Sequence, residues 1–355
     1  MKKKKVLLGM SGGVDSSVAA ILLQEQGFEV IGVTMLLRPA SLLQKVNGGC
    51  GSSEDVEDAR RVAECLGIEH HVLDFTEIFT RRVMDYFVQE YQNGRTPNPC
   101  IACNHYVKFG AMFDKAMEMG CDYVATGHYA TVELGENGKW QMRMAPSSKD
   151  QSYVLYHLTQ EQLAHLKMPM GAITKAEARD LAEKYHLPVA HKPDSQEICF
   201  VPDKDYAGFI ERYTGKKAPC GNFISTTGEI LGKHRGIPHY TVGQRKGLGV
   251  TFGKPMYVTR ICPEKNAIVL GEEGSQYSKE LIAEELNFLA GEAPGMEVRV
   301  TAKVRYQATP AQATLLMEGE SRARVIFDQP QRAVTPGQAV VFYDGDQMIG
   351  GGVIR

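Results

Sequence analysis

The sequence predicts an α/β protein with a doubly wound parallel sheet, followed by a small central β-rich domain and a C-terminal β-barrel. Up to about residue 205, buried strand patterns alternate with helical patterns, an order typical of parallel strands joined by helical crossovers. After Tyr206, glycine, proline and short β-like runs replace that alternation, and from Lys279 apolar and polar residues alternate with the period of a strand. We therefore place the domains at 1–205, 206–278 and 279–355, the last as a small closed barrel.

The elements of the first domain follow from local signals. An apolar run at 5–10 predicts a buried strand, and the helix predicted at 14–26 ends at Gly27, a residue that readily takes the C-cap conformation. Ser53 is expected to cap the next helix, which continues to Leu66. The other predicted elements are strands at 29–35, 69–74 and 122–126, helices at 77–92 and 106–119, and a glycine-rich loop at 36–51.

Short β-like runs fill the rest of the chain. Two lie in the central domain, and turn residues separate the others at short intervals, as in a small barrel. They are 256–261 and 267–270 in the central domain, and 298–306, 313–318, 322–327 and 339–343 in the third.

Composition excludes several classes of protein. The 355 residues are 43% hydrophobic and 23% charged, which excludes wholesale disorder and a small disulfide-rich scaffold. Lysine and arginine total 40 against 42 acidic residues, for a net charge of −2, so any nucleic-acid site has to be a local patch. No apolar run reaches about 18 residues, and the short one after the basic start is not a signal-peptide core. We expect a cytoplasmic protein without a membrane partner.

The string SGGVDSS at residues 11–17 predicts a phosphate-binding loop, because it directly follows a strand and opens a helix. Its two glycines allow a sharp turn whose backbone N–H groups, together with the helix N-terminus, form an anion site. Ser11, Ser16 and Ser17 add hydroxyl donors, and the Asp15 carboxylate is placed to hold a magnesium ion that neutralises the phosphates. The loop lacks the Gly-Lys-Ser/Thr ending of a Walker A motif and the glycine spacing of a dinucleotide fingerprint. The alternative is a plain glycine-rich turn.

Two cysteine-bearing segments form the second signal. In Gly94–Asn104, two prolines set the backbone before Cys100, and the N-terminus of the following helix favours a thiolate at Cys103, a candidate nucleophile. Cys199 lies far downstream between two bulky apolar residues, and taken alone it is typical of a small buried side chain. Taken alone, Cys100 and Cys103 are half of a structural zinc site whose second Cys-x-x-Cys pair is missing. The remaining cysteines, expected to be packing residues, are Cys50, Cys65, Cys121, Cys220 and Cys262.

The two signals together resemble one protein family. The phosphate-loop string resembles the signature of the PP-loop ATP pyrophosphatases, which use ATP to adenylate a carbonyl or amide oxygen. With the cysteine segments and further strings, the chain resembles the tRNA-specific 2-thiouridylase family (MnmA/TrmU) over essentially its whole length. The strings are SGGVDSS (11–17), GRTPNP (94–99), CN (103–104), KF (108–109), ATGHY (125–129), KDQSY (149–153), SQEICF (195–200), HYTVGQRKG (239–247), VRY (304–306) and TPGQA (335–339).

This resemblance implies an ATP-dependent reaction at the wobble uridine of a tRNA. ATP would adenylate the C2 oxygen of the base, and sulfur from a persulfide on Cys199 would replace that oxygen with release of AMP. Cys103 is implied as the second catalytic cysteine, which releases the sulfur by forming a transient disulfide with Cys199. The implied partners are the anticodon arm of tRNA and a sulfur donor, either a cysteine desulfurase or a sulfur-relay protein.

The same resemblance implies binding positions residue by residue. ATP is expected on the phosphate loop and its neighbours, the target base on the segment before Cys103, and the rest of the tRNA on scattered polar residues. The ATP positions are Gly9, Met10, Ser11, Gly12, Gly13, Val14, Asp15, Ser16, Met35 and Gly127; the base positions are Asn98, Pro99 and Cys100; and the tRNA positions are His128, Lys149, Asp150, Gln151, Arg305, Tyr306 and Gln338.

Position 100 departs from one common version of the family pattern, which has an aspartate there as an expected general acid or base. A thiol cannot copy a carboxylate with a pKa of about 4, so that role is in doubt here. Cys100, Cys103 and Cys199 are instead able to ligate an iron–sulfur cluster that binds hydrosulfide.

Two further classes of protein stay open. One is a PP-loop ligase like argininosuccinate or GMP synthetase, and the other is a non-catalytic RNA-binding or iron–sulfur protein.

The basic patches at 216–217, 233–235 and 245–246 are equally well tRNA contacts or solvated loop charges.

Overall fold

The first part of the chain forms a parallel sheet, as predicted. The computed structural model describes residues 3–39, 51–194 and 197–355. The strands in this part are β1 (Lys5–Gly9), β2 (Glu29–Leu36), β3 (Glu69–Asp74), β4 (Tyr123–Ala125), β5 (Ala130–Leu134), β6 (Trp140–Met144) and β7 (Leu166–Lys167). Within the described residues the parallel sheet has the order β3-β2-β1-β4-β7, with β1 between β2 and β4.

Helices cover both faces of this sheet. Side chains of one strand point alternately to opposite faces, so Leu7 of β1 packs with Phe109 and Met112 on one face, and Val6 and Leu8 pack with other helices on the opposite face. The α-helices are α1 (Val14–Glu25), α2 (Ser53–Leu66), α3 (Thr76–Phe79), α4 (Asp85–Gln92), α5 (Pro99–Cys103), α6 (Met112–Glu118), α7 (Gln160–Ala164), α8 (Lys175–Lys184) and α9 (Tyr206–Thr214). In the described ranges, no helix combines the length and apolar character needed to cross a membrane.

The helical run that carries the first cysteine pair begins earlier than predicted. Its first residue is Pro99, where the sequence predicted a start near Tyr106, because proline is compatible with the first helical position. Asn98 caps it, and its Oδ1 accepts from the Cys100 N–H at 3.1 Å. A π-helical stretch at Asn104–Ala111 then joins α5 to α6, and a second one at Thr80–Met84 joins α3 to α4.

One local prediction is wrong, and another falls mostly outside the described residues. Ser52, and not Ser53, is the N-cap of α2, since its side chain accepts from the Asp55 N–H at 3.1 Å. Most of the loop predicted at 36–51 lies outside the described residues, as does Cys50.

After α9 the chain is built from β-strands and short connections, which confirms the predicted fold class. Four strands form a small sheet, in the order β10-β11-β8-β9, and six others form a closed antiparallel barrel in which β12 pairs with β17. The strands are β8 (Gly221–Ser225), β9 (Ile230–His234), β10 (Tyr257–Cys262), β11 (Ala267–Gly271), β12 (Tyr277–Phe288), β13 (Glu297–Lys303), β14 (Ala311–Met317), β15 (Arg322–Arg332), β16 (Ala339–Asp344) and β17 (Gln347–Ile354). Short 3-10 turns lie at Ser152–Leu155, Pro169–Ala172, Ile237–His239 and Pro263–Lys265.

A hairpin of the first domain extends the sheet of the barrel. Strands β5 and β6 pair with each other, and Met142 and Arg143 of β6 pair with Met348 and Gln347 of β17. An ion pair between Arg143 and Asp346 at 2.7 Å adds to this contact. The barrel is therefore joined to the parallel-sheet domain by continuous strand pairing.

Candidate active site

The phosphate loop lies between β1 and α1, at the carboxyl edge of the parallel sheet. Gly12 has a φ of +69°, and a Cβ at this position would overlap the carbonyl oxygen of Asp55, so the loop requires glycine there. Gly13 is the N-cap of α1 and carries no side chain that would occupy the first N–H groups of the helix. These N–H groups, with the positive end of the helix dipole, form an anion-binding site.

The hydroxyls of Ser16 and Ser17 form hydrogen bonds to the backbone of the loop itself. Ser16 Oγ accepts from the Ser11 N–H at 3.2 Å and donates to the Gly13 carbonyl at 3.3 Å. Ser17 Oγ donates to the same carbonyl at 2.8 Å, and Ser17 is fully buried. The Ser17 side chain therefore supports the turn, and a contact of its hydroxyl with a ligand stays a prediction.

The Asp15 carboxylate lies at the centre of a charged contact. Its Oδ1 accepts a hydrogen bond from the Tyr129 hydroxyl at 2.7 Å and lies 2.7 Å from Lys175 Nζ. Burial raises the pKa of Tyr129, and the bond to Asp15 raises it further, so the phenol stays a donor. A carboxylate beside an anion site is a suitable ligand for Mg²⁺, which is usually held by one or two carboxylates and substrate phosphates.

The remaining predicted ATP positions surround the loop. Gly127 follows β4, and a Cβ there would lie 2.8 Å from the Ser16 backbone nitrogen, so this turn directly overlies the loop. Met10 and Val14 are buried and reach the site only through their backbone. Met35 lies near the end of β2, next to β1 in the sheet. The structure thus brings the predicted ATP positions to one edge of the sheet, where ligands bind in open α/β folds.

The two predicted catalytic cysteines lie in one apolar cluster, which we call the cysteine cluster. Cys103 is buried among aromatic side chains that include Phe87 and Phe200, and Cys199 is half-buried against the same cluster. Phe200 packs edge-on against Phe87 with ring centroids 5.3 Å apart. Leu37, directly after β2, belongs to this cluster as well. The fold therefore joins two segments that are distant in sequence, beside the strand edge that carries the phosphate loop.

The helix N-terminus acts on a different cysteine from the one predicted. Cys100 is exposed in the first turn of α5, whereas Cys103 is the last residue of that helix and is buried. The positive end of the helix dipole therefore lies next to Cys100, and not next to Cys103 as predicted. Cys100 also lies close enough to Tyr306 of the barrel to act on it: burial raises the pKa of Tyr306, and the charges of Asp150 and Cys100 raise it further.

An iron–sulfur cluster on the three cysteines stays a prediction. In the part of the chain that the structure describes, no group of three or more His, Cys, Asp or Glu side chains is arranged to hold a metal ion. Cys103 is buried in the cysteine cluster while Cys100 is exposed. We therefore derive no step through such a cluster.

Comparison with known proteins identifies the family. Family models match three consecutive segments: a tRNA methyl transferase HUP domain at 4–203, a tRNA methyl transferase PRC-barrel domain at 207–272 and an aminomethyltransferase beta-barrel domain at 278–354. A relative from Acetivibrio thermocellus named tRNA-specific 2-thiouridylase MnmA is 56% identical, with 100% of both chains covered. The chain belongs to the MnmA family. Relatives of the same name from Lachnoclostridium phytofermentans and Clostridioides difficile are 53% and 52% identical, covering 99% of this chain and 99% and 98% of theirs.

Several positions that the MnmA resemblance assigns to tRNA make internal contacts. His128 is buried, its Nδ1 lies 2.7 Å from Thr126 Oγ1, and burial together with the Lys108 charge keeps its pKa well below the usual value. Gln151 Oε1 accepts from the Tyr129 N–H at 3.1 Å. Their side chains therefore support the turns around the site, and direct tRNA contact stays a prediction.

Asp150 holds the turn beside Lys149 in place. Its carboxylate accepts from the Ala145 N–H at 3.0 Å and from the Ser152 hydroxyl at 2.9 Å, while burial raises its pKa. Lys149 is exposed, and its Nζ lies 3.4 Å from Asp194.

Residues of the barrel that are predicted to bind tRNA lie close to the segment that precedes Cys100. One of them, Gln338, bonds to Thr96 of that segment. Gln338 Nε2 donates to the Thr96 carbonyl at 2.7 Å, and the Thr96 N–H donates to the Pro336 carbonyl at 2.8 Å. Tyr306 is partly exposed, and Arg305 donates to the Arg332 carbonyl at 2.9 Å. In the MnmA fold of this chain, the predicted base-binding segment is therefore flanked by the barrel.

Sequence reasoning missed residues that contact the phosphate loop from elsewhere in the chain. Tyr129 and Lys175 bind Asp15, and Lys192 Nζ donates to the Gly12 carbonyl at 3.1 Å. One signal was present: Lys175 is the first residue of α8, where the helix dipole disfavours a cation. Ser195 and Gln196, which belong to a string quoted for the resemblance, lie outside the described residues.

Proposed function

We propose that this protein catalyses ATP-dependent 2-thiolation of the wobble uridine of tRNA. The observation that carries the proposal is the placement of a phosphate loop and a cysteine pair at the same edge of one parallel sheet. Leu37 in the cysteine cluster follows β2, whose residue Val33 pairs with Gly9, the last residue of β1 before the phosphate loop. Adenylation occurs at the C2 oxygen and sulfur attack at the C2 carbon, so the two steps act in succession on one carbonyl group and require this proximity.

The phosphate loop supplies the first half of the reaction. Its N–H groups hold the triphosphate of ATP while the C2 oxygen of uridine attacks the α-phosphorus, and pyrophosphate leaves. Asp15 would hold a magnesium ion on the phosphates, which neutralises their charge. The base has to leave the anticodon stack for this step, as single-stranded bases do readily.

The cysteines supply the second half. A sulfur-donor protein loads a terminal sulfur onto Cys199, and that sulfur attacks C2 and displaces AMP together with the former C2 oxygen. The Cys103 thiolate attacks the Sγ of Cys199, so that a Cys103–Cys199 disulfide forms as the sulfur is transferred. A thiol reductant must then return both cysteines to thiols before the next turnover.

Methyl transfer, which the matched family descriptions name, fits the site less well. A methyltransferase needs neither a phosphate-binding loop nor two cysteines in one apolar cluster, and both are present here. A PP-loop ligase of the argininosuccinate or GMP synthetase type would leave the cysteine cluster and the barrel without a role.

The direct test is the conversion of a defined tRNA. The purified protein is incubated with Mg-ATP, a tRNA transcript with uridine at the wobble position, L-cysteine and a cysteine desulfurase, and the digested nucleosides are analysed by mass spectrometry. We expect 2-thiouridine only when ATP is present and none in a transcript with cytidine at that position. ATP-independent thiolation, or methylated uridine in place of thiouridine, would contradict the proposal.

A second measurement addresses the sulfur chemistry. Protein purified without oxygen is assayed for iron and acid-labile sulfide. We expect substoichiometric amounts of both, with full activity once a sulfur donor is supplied. A stoichiometric cluster that disappears in Cys100→Ala would replace the persulfide account.

A further inference from the structure

Lys192 ties the stretch before Cys199 to the phosphate loop. Its Nζ donates to the Gly12 carbonyl at 3.1 Å, and it lies 2.8 Å from Asp55 Oδ1 and 2.6 Å from Asp58 Oδ2. Both carboxylates belong to the first half of α2 and are buried. One ammonium therefore joins the backbone of the loop to a neighbouring helix.

Asp194 makes a second tie through Lys175. Lys175 Nζ lies 2.7 Å from Asp194 Oδ1 and 2.7 Å from Asp15 Oδ1, so it links the two carboxylates. Arg179 and Lys149 also reach Asp194, at 3.3 Å and 3.4 Å. Lys192 and Asp194, which we call the clasp, thus attach one short stretch of chain to two points of the phosphate loop.

The ion pair between Asp194 and Lys175 is partly shielded from water. The side chains of Lys175 and Asp194 are 15% and 23% exposed, so their attraction is screened less than that of a surface pair. Burial disfavours the charged form of both clasp residues, but the opposite charges of their ion-pair partners together have the larger effect on the pKa. Lys175 and Lys149 hold the pKa of Asp194 below its usual value, and Asp55 and Asp58 raise the pKa of Lys192. Both clasp residues are therefore charged at neutral pH.

Lys175 is placed against the preference of its own helix. It is the first residue of α8, where the dipole disfavours a cation, and Thr174 and Glu177 already form a complete capping box. The helix does not need Lys175 for its own stability, so its position is explained by the two carboxylates that it joins.

Cys199 follows Asp194 by five residues, a stretch that spans at most about 18 Å when fully extended. Resting on the proposed function, we propose that Lys192 and Asp194 are positioning residues that keep the Cys199 segment beside the phosphate loop. Sulfur is then delivered from a fixed place next to the base that the same loop has activated. Loss of the clasp should impair sulfur transfer more than adenylation.

The test compares the two half-reactions in Asp194→Asn. Asparagine keeps the shape of the side chain and removes its charge. We expect tRNA-dependent pyrophosphate release within twofold of the wild type and thiouridine formation at least tenfold lower, so that more pyrophosphate is released per thiouridine formed. Lys204→Met is the matched control, because Lys204 also lies five residues from Cys199 but pairs with Glu197 in an exposed position. This control should leave the ratio unchanged.

The role of Lys192 is tested in a variant that also neutralises its two carboxylate partners, so that a loss of activity does not come from unpaired buried charges. Lys192→Met alone leaves Asp55 and Asp58 without their shared cation, so it is combined with Asp55→Asn and Asp58→Asn. We expect a soluble variant with a raised KM for ATP and a raised ratio of pyrophosphate to thiouridine, while Lys192→Arg stays within threefold of the wild type.

The outcomes separate this inference from the proposed function. If the wild type thiolates tRNA and Asp194→Asn loses both half-reactions in parallel, or neither, the clasp has no positioning role. If the wild type forms no thiouridine with a sulfur donor present, the proposed function fails, and the clasp proposal with it.

Discussion

The phosphate loop and the cysteine cluster lie at the same sheet edge but are built in opposite ways. The loop is local and polar: its glycines and hydroxyls come from seven consecutive residues, and Lys175 and Tyr129 contact Asp15. The cysteine cluster is non-local and apolar: Cys103 and Cys199 come from distant segments and pack in the same cluster of aromatic side chains. Under the proposed function, phosphate recognition would use the fixed N–H groups of the loop, and sulfur transfer would use two cysteines of one apolar cluster.

This difference predicts that the two half-reactions can be damaged separately. A change in the loop should remove adenylation and, with it, thiolation. A change in the cysteine cluster should remove thiolation alone.

The largest effect is expected for Cys103→Ser. Because the hydroxyl is a far weaker nucleophile than a thiolate, thiouridine formation should fall at least about a thousandfold, while tRNA-dependent pyrophosphate release stays within twofold. The control is Cys121→Ser. Cys121 is buried in the separate apolar cluster that contains Leu7 and Phe109, and its variant should keep both activities. Equal losses in the two variants would show that Cys103 is only a packing residue.

Gly12→Ala should lower kcat/KM for ATP by about 100-fold, equal to about 2.8 kcal/mol. Its φ is +69° and the added methyl would overlap the Asp55 carbonyl, so the loop must move. Gly27→Ala is the control, since Gly27 has a φ of +87° but open space around it. It should cost about 1 kcal/mol of stability and leave the kinetics unchanged. Similar ATP kinetics in both variants would contradict the loop geometry.

Tyr129→Phe should raise the KM for Mg-ATP by about fivefold, because Asp15 loses a hydrogen-bond donor and about 1 kcal/mol. The measurement is pyrophosphate release as a function of ATP concentration. Tyr123→Phe removes a hydroxyl that contacts Lys4 at the surface and should change nothing. An unchanged KM in Tyr129→Phe would mean that this bond does not orient Asp15.

The smallest effect is a pH dependence of stability from buried histidines. Burial, with a contribution from His105, keeps the pKa of His157 well below its usual value, so the folded state keeps this ring neutral. The unfolded chain binds a proton below about pH 6.5. Stability is therefore fully present above that pH and falls by about 1 kcal/mol per such histidine between pH 7 and 5.5.

Urea unfolding of the wild type and His157→Gln at several pH values checks this. The variant should show a shallower loss of stability toward acid. An identical pH dependence would mean that His157 is protonated in the folded protein.

The sequence predicted the family, which is confirmed, and the fold class. The loop could be predicted because its residues are consecutive and each acts through its own backbone or side chain. The presence of Cys103 and Cys199 in one cluster depends on how Phe87 and Phe200 pack, which their spacing in the sequence does not reveal. The barrel contacts of Gln338 and the pairing of β6 with β17 are equally non-local. The roles of the individual ATP, tRNA and catalytic residues, and the domain limits, stay predictions.

The most direct test of the account measures both half-reactions in Cys199→Ala. Pyrophosphate release and thiouridine formation are followed in the same reaction with tRNA, Mg-ATP and a sulfur donor. We predict pyrophosphate release within twofold of the wild type and no detectable thiouridine, because the phosphate loop and the cysteine cluster act separately. Loss of both activities in a folded variant, or thiolation that persists, would contradict that division.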